Sequence, residues 1–141
     1  MKAAEIVALL QLEPHPEGGF YRQMFADEAA ENGRAHSTAI YYLLEGGVAG
    51  RWHRVDSAEV WHWYGGAALD LTLSADGVET ETHRLGPALT AGERPQVVVP
   101  RGCWQSARSL GAWTLTGCTV APGFEFAHFE MAPEGWAPGQ R

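Results

Sequence analysis

Hydrophobic and polar positions along this chain follow two periods. Between Ala3 and Leu12, Ile6, Leu9 and Leu10 recur at helical spacing, and Pro14 disfavours helix at Glu13. The pattern predicts one short N-terminal helix ending there. From Gly19 onward the texture is that of strands: GFYRQMFA, STAIYYLL, RWHRV, AEVWHWY, ALDLTLS, VETETHRL, QVVV, WQSARS, WTLTGCTV and FEFAHFEM are short runs rich in aromatic and β-branched residues. Glycine or proline separates them, as in EGGVAG, LGPALTAGERP, PRG and APG. Asp76-Gly77 between two alternating runs predicts a hairpin. About ten short antiparallel strands at this spacing predict an all-β sandwich or barrel such as a jelly roll.

PHPEGG, around His15 and Glu17, reads as an ordered turn that could support the rim of a site. PEGWAPGQR, from Pro133, reads as a loose C-terminal tail with Trp136 as its one anchor. A single domain over 1–141 is expected, with its core over about 6–131.

Composition narrows the function. Hydrophobic residues make up 45% and charged residues 19%, a globular rather than a disordered balance. Six tryptophans and 17 glycines suit short strands around an aromatic interior. Net charge is −7 and Lys2 is the sole lysine, which argues against nucleic acid or an anionic membrane surface as partner. Cys103 and Cys118 make no disulfide framework and read as small buried thiols. With no signal-like or membrane-spanning apolar run, a cytoplasmic location is expected. No phosphate-binding glycine loop and no serine elbow occurs, so no cofactor is expected.

The chemistry concentrates in GRWHRVDSAEVWHWYGG, residues 50–66. Gly47, His53, Val55, Glu59 and Gly66 carry every spacing of G-x5-H-x-H-x3-E-x6-G, and Pro100, Gly102 and Gln105 those of P-x-G-x-x-H. This resembles the two motifs of the cupin superfamily, with Val55 and Gln105 where histidines belong. PHPEGGFYR, STAIYYLL, HRVDSAEVWHWY, GERPQVVVPRGCWQSA and GCTVAPGFEFAHFE are similar to the fifth cupin subfamily, over about Ile6 to Met131. The resemblance implies a small jelly-roll barrel, a homodimer, and one pocket per subunit that contains His53, Glu59 and Gln105.

One imidazole, one carboxylate and one amide make a thin set for a transition metal, and the expected metal ligation is none. A metal site, if there is one, falls to His53, Glu59 and Gln105. Alternation sends Glu59, Trp61 and Trp63 to one face and His62 to the other, unless a bulge turns His62 inward. The pocket therefore suits a polar small molecule, with His53 as base, Glu59 as its partner or as an acid, and Gln105 as an orienting donor. Trp61, Trp63, Tyr41 and Arg22 are the candidate ligand contacts. Resemblance to metal-free cupin epimerases implies a carbohydrate-like or nucleotide-sugar ligand and isomerase or epimerase chemistry. Two alternatives stay open: a metal-dependent oxygenase or isomerase using His62 as well, and a ligand-binding module without turnover.

Overall fold

The structure, a computed structural model, describes residues 1–28 and 32–140. A helix α1 (Ala3–Leu10) precedes β1 (Glu13–Pro14), β2 (Phe20–Ala26), β3 (Thr38–Glu45), β4 (His53–Val55), β5 (Ala58–Gly66) and β6 (Leu69–Ser74). Then follow β7 (Glu81–Leu85), β8 (Gln96–Val99), β9 (Trp104–Ser109), β10 (Trp113–Ala121) and β11 (Phe129–Met131). The strands form two antiparallel sheets, of six in the order β1-β2-β3-β10-β5-β8 and of five in the order β11-β4-β9-β6-β7. They face each other as a jelly-roll barrel, in agreement with the fold class expected from the strand pattern.

Alternation builds the core. Leu69, Leu71 and Leu73 of β6, Val97 and Val99 of β8, and Trp61 of β5 turn inward and are buried together between the sheets. Each such side chain contributes about 1.5–3 kcal/mol by leaving water. A second cluster, Ile6, Leu12 and Leu43, lies on the outer face of the larger sheet. There α1 is held by burial of Ile6, since eight residues are too few to keep a helix in isolation. The helix stops at Leu10 rather than Leu12. Gln11 adopts a left-handed conformation (φ 55°), which frees Leu12 to drop into the cluster.

Two other expectations meet the structure differently. The β6–β7 hairpin forms at Asp76-Gly77, where Asp76 Oδ1 accepts hydrogen bonds from Val78 N (2.8 Å) and Glu79 N (2.9 Å). The C-terminal tail, by contrast, is not loose through Gln140. Trp136 packs between Trp104 (ring centroids 4.8 Å) and Trp52 (6.2 Å), and Gly139 N donates to the Gly77 carbonyl at 2.9 Å. Arg141 lies outside the described residues.

The connection that matters for chemistry is the crossing between sheets at Asp56–Ser57. It leaves β4 in the smaller sheet and starts β5 in the larger. Arg34 clamps it, with two hydrogen bonds to the Asp56 carboxylate (2.9 and 2.7 Å) and one to Ser57 (3.0 Å). Because the chain changes sheet there, His53 and Glu59 come from opposite walls of the barrel.

Candidate functional site

A cavity of about 250 Å³ opens at one end of the barrel, bordered by His53, Glu59, Glu17 and His15 among apolar side chains. Strand parity decides its walls. Thr38, Ile40 and Tyr42 of β3 face inward, as do Tyr21 and Gln23 of β2 and Val120 of β10. Phe124, Phe126 and Phe129 close one side.

His53 sits opposite Gln105 in the β4–β9 register, 5% exposed. Its Nδ1 lies 2.9 Å from Glu17 Oε2 and 3.2 Å from the Arg51 carbonyl. Both neighbours are acceptors, so Nδ1 carries a proton in either charge state, and the proton that comes and goes belongs to Nε2. Burial pulls the imidazole toward its neutral form. The Glu17 carboxylate outweighs burial, with a smaller push from Glu59, and raises His53 to about 9. At neutral pH this residue is an imidazolium. Glu17, equally buried, is pushed up by its own desolvation but held below the ordinary carboxylate value by the His53 charge.

Glu59 is raised to about 6: burial lifts it, the His53 charge pulls it back, and Glu17 adds repulsion. Its orientation is fixed from behind. Trp61 Nε1 donates to Gln105 Oε1 at 2.9 Å, and Gln105 Nε2 donates to Glu59 Oε1 at 2.7 Å. An indole can only donate, so the amide cannot flip, and its NH₂ must face Glu59. Gln105 is wholly buried and both its polar ends are engaged. It positions Glu59 and does not reach the cavity, where the sequence expectation had it orienting substrate.

The structure thus links His53, Glu59 and Gln105, and adds Glu17 and His15 from the segment read as a rim turn. That segment is a folded loop. His15 N donates to the Gly19 carbonyl (2.9 Å), Glu17 N to His15 Nδ1 (3.1 Å), and the Tyr42 hydroxyl to the Gly18 carbonyl (2.5 Å). Gly19 has φ 78°, and a Cβ on it would stand 2.7 Å from the Leu43 carbonyl oxygen, so only glycine lets the loop tuck Glu17 inward. A carboxylate inside a turn locked by two prolines and two glycines was the available signal.

The expected ligand contacts lie elsewhere. Trp61 shares the face of Glu59 but is buried in the core beyond the cavity. Trp63, further along, packs on that core and donates Nε1 to the Ala67 carbonyl at 3.2 Å. Tyr41 and Arg22 point to the outer face, where Tyr41 packs on Tyr64 and Arg22 bonds to Gln11 Oε1 at 2.6 Å. Their neighbours Tyr42 and Tyr21 face the cavity instead, the consequence of a period-two side-chain pattern. His62 also lies on the outer face, 3.2 Å from Thr119 Oγ1 and stacked on Tyr64. The irregularity in β5 falls beyond it, at Tyr64, and does not turn it inward.

These placements test the fit of a cupin metal. Val55 presents methyl groups to the cavity, Gln105 is committed to Trp61 and Glu59, and His53 Nδ1 to Glu17. Among the described residues no three His, Cys, Asp or Glu side chains are disposed to hold one ion. The donor set does not fit a three-histidine, one-glutamate centre.

No protein of curated function matches the sequence. Among solved structures, the chain is similar to protein SO0799 from Shewanella oneidensis, with 37% identity and TM-score 0.89, covering 94% of this chain and 85% of that one. It is similar also to a protein from Leishmania major, with 26% identity, TM-score 0.86 and coverage of 96% and 90%. Oxalate decarboxylase from Bacillus subtilis shares the fold alone, at 14% identity and TM-score 0.64 over 84% of this chain and 29% of that one. The sequence matches the family described as Cupin superfamily (DUF985) over residues 4–132, and with the jelly-roll barrel and the site at its two motifs, the chain belongs to that family.

Proposed function

We propose that the cavity binds a small, polar, carbohydrate-like molecule and moves a proton on it without a metal, as an isomerase or epimerase. One observation carries this reading: an imidazolium and a carboxylate with widely separated proton affinities border the same enclosed space. The roles differ from those expected from sequence. His53, held charged by Glu17, is the acid, and Glu59 is the base.

In this scheme Glu59 takes a proton from the carbon next to a carbonyl while His53 gives its Nε2 proton to the carbonyl oxygen. An enediol forms, Glu59 becomes neutral and acidic, and His53 becomes neutral and basic. Glu59 then gives its proton to the former carbonyl carbon while His53 takes one from the hydroxyl on the neighbouring carbon, which moves the carbonyl by one carbon and restores both residues. An epimer forms instead when the enediol turns over, receives the Glu59 proton on its opposite face at the first carbon and returns its hydroxyl proton to His53. About 250 Å³ accommodates one sugar ring, which supports a monosaccharide-sized ligand over a whole nucleotide sugar.

Native mass spectrometry of the purified protein identifies any ligand it retains. Incubating that ligand with the protein in D₂O then reads proton transfer directly by NMR. Deuterium is expected at the carbon next to the carbonyl, slowed by about 10²–10⁴-fold in Glu59→Gln and in His53→Ala. Incorporation at an undiminished rate in both variants would refute the proposal.

The homodimer belongs to the same proposal. The outer face of the larger sheet leaves Phe25, Tyr64 and Val98 more than half exposed, an apolar surface suited to a second copy. Light scattering should report a dimer, and Val98→Glu should give monomers. The free, buried Cys103 and Cys118 suit a reducing, cytoplasmic setting.

A further inference from the structure

The residues around the cavity carry a net negative charge. Three carboxylates, Glu13, Glu17 and Glu59, border it, and among the described residues no lysine or arginine does. The Glu17 charge is spent on His53 at 2.9 Å. Glu59 remains at depth, and Glu13 remains at the mouth, exposed beside Tyr21, its partner in the β1–β2 register.

The mouth is also aromatic. His15 is the hub, its ring 4.6 Å from Tyr21, 5.3 Å from Tyr42, 6.2 Å from Phe126 and 6.4 Å from Phe129. Burial holds His15 below its ordinary value, so the hub is neutral and does not repel a cation. Phe126 stays half exposed although it is one of the rings that close the cavity, so its side chain is available to whatever enters. Aromatic rings with two carboxylates beyond the one that pairs the His53 imidazolium form an environment that takes an ammonium group: the rings offer negative faces and the acids offset the charge.

We infer that the cavity selects a ligand bearing an ammonium group, seated at the mouth between Glu13 and the rings of Tyr21 and Phe126, and rejects phosphorylated or carboxylated ones. The inference rests on the cavity being the ligand site proposed above, but on neither the sugar nor the proton transfer. It places the positive group at the mouth and leaves Glu59 free for the reacting end. An anion would meet Glu13 on entry and Glu59 at depth, with only the already paired His53 to receive it.

Three probes with the same three-methyl head separate the charges: choline, its uncharged carbon isostere neopentylcarbinol, and the shorter anion pivalate. Isothermal titration of the full chain at low salt should find choline about tenfold tighter than neopentylcarbinol, with pivalate weakest. Glu13→Gln and, separately, Phe126→Leu should each cut the choline affinity several-fold and leave neopentylcarbinol unchanged. These two positions are at the exposed mouth, so the variants are expected to fold. Equal affinity for choline and its isostere, tighter pivalate, or no binding of choline overturns the inference. Choline selectivity without deuterium exchange on any retained ligand would sink the isomerase alone, and exchange on a neutral ligand without choline selectivity would sink only this inference.

Discussion

Glu17 decides what His53 is. Without that carboxylate 2.9 Å from Nδ1, burial would keep the imidazole neutral; with it, the ring stays protonated to about pH 9. In Glu17→Gln, the His53 titration followed by NMR should fall from about 9 to the ordinary histidine value or below. An unchanged titration would mean that another group holds the charge. Stability carries the same sign. His53 is raised from 6.5 to about 9, so its contribution of about 3 kcal/mol is complete below pH 6.5 and lost as pH rises to 9. Glu59 is raised from 4.5 to about 6, so ionising it costs stability as pH rises through that window, about 2 kcal/mol in all. Glu59→Gln should therefore match the unaltered protein in unfolding free energy from denaturant titration at pH 4 and exceed it by about 2 kcal/mol at pH 8. Equal stability at both pH values would contradict the buried-carboxylate assignment. His53 and Glu59 were legible in the sequence because motif spacing fixes them. Arg22 and Tyr41 lie on the outer face rather than in the cavity, since nothing in a strand run announces which parity faces inward.

The elements divide the work between walls and wedge. Strands β4 and β5 supply His53 and Glu59 from opposite sheets, and the Arg34 clamp on Asp56 holds the corner between them. The loop from Pro14 to Gly19 is the wedge, driving Glu17 against His53. Its geometry depends on Gly19, whose left-handed backbone and 2.7 Å clearance to the Leu43 carbonyl leave no room for a methyl group. Gly19→Ala should destabilise the fold by about 1–3 kcal/mol and lower the His53 titration, as Glu17 withdraws. Measured together by denaturation and NMR, loss of stability with His53 still at about 9 would show that the loop does not set the charge. The prolines and glycines of PHPEGG make its stiffness legible in the sequence. The loop's direction is not legible there, because it depends on what the turn packs against, here the Tyr42 hydroxyl and the β3 backbone.

At the scale of the whole molecule, two sheets close around a cavity whose histidines and carboxylates come from three separate segments, the loop around His15 and Glu17, β4 and β5, and the tail is part of the shell. Trp136 fills the space between Trp52 and Trp104, and Arg54 lies 4.5 Å above the Trp104 ring. Trp136→Ala should cost about 2–4 kcal/mol in chemical denaturation, where a loose tail would give no change. The strand periodicity and glycine punctuation determined the all-β class, because side-chain alternation and turn chemistry are local properties of the chain. The two motifs likewise determined that His53, Glu59 and Gln105 meet. Tertiary structure alone decided which of them faces the cavity, that Glu17 joins them, and hence that the histidine is charged. Burial and a partner distant in sequence set a proton affinity, and neither is written in the neighbouring residues.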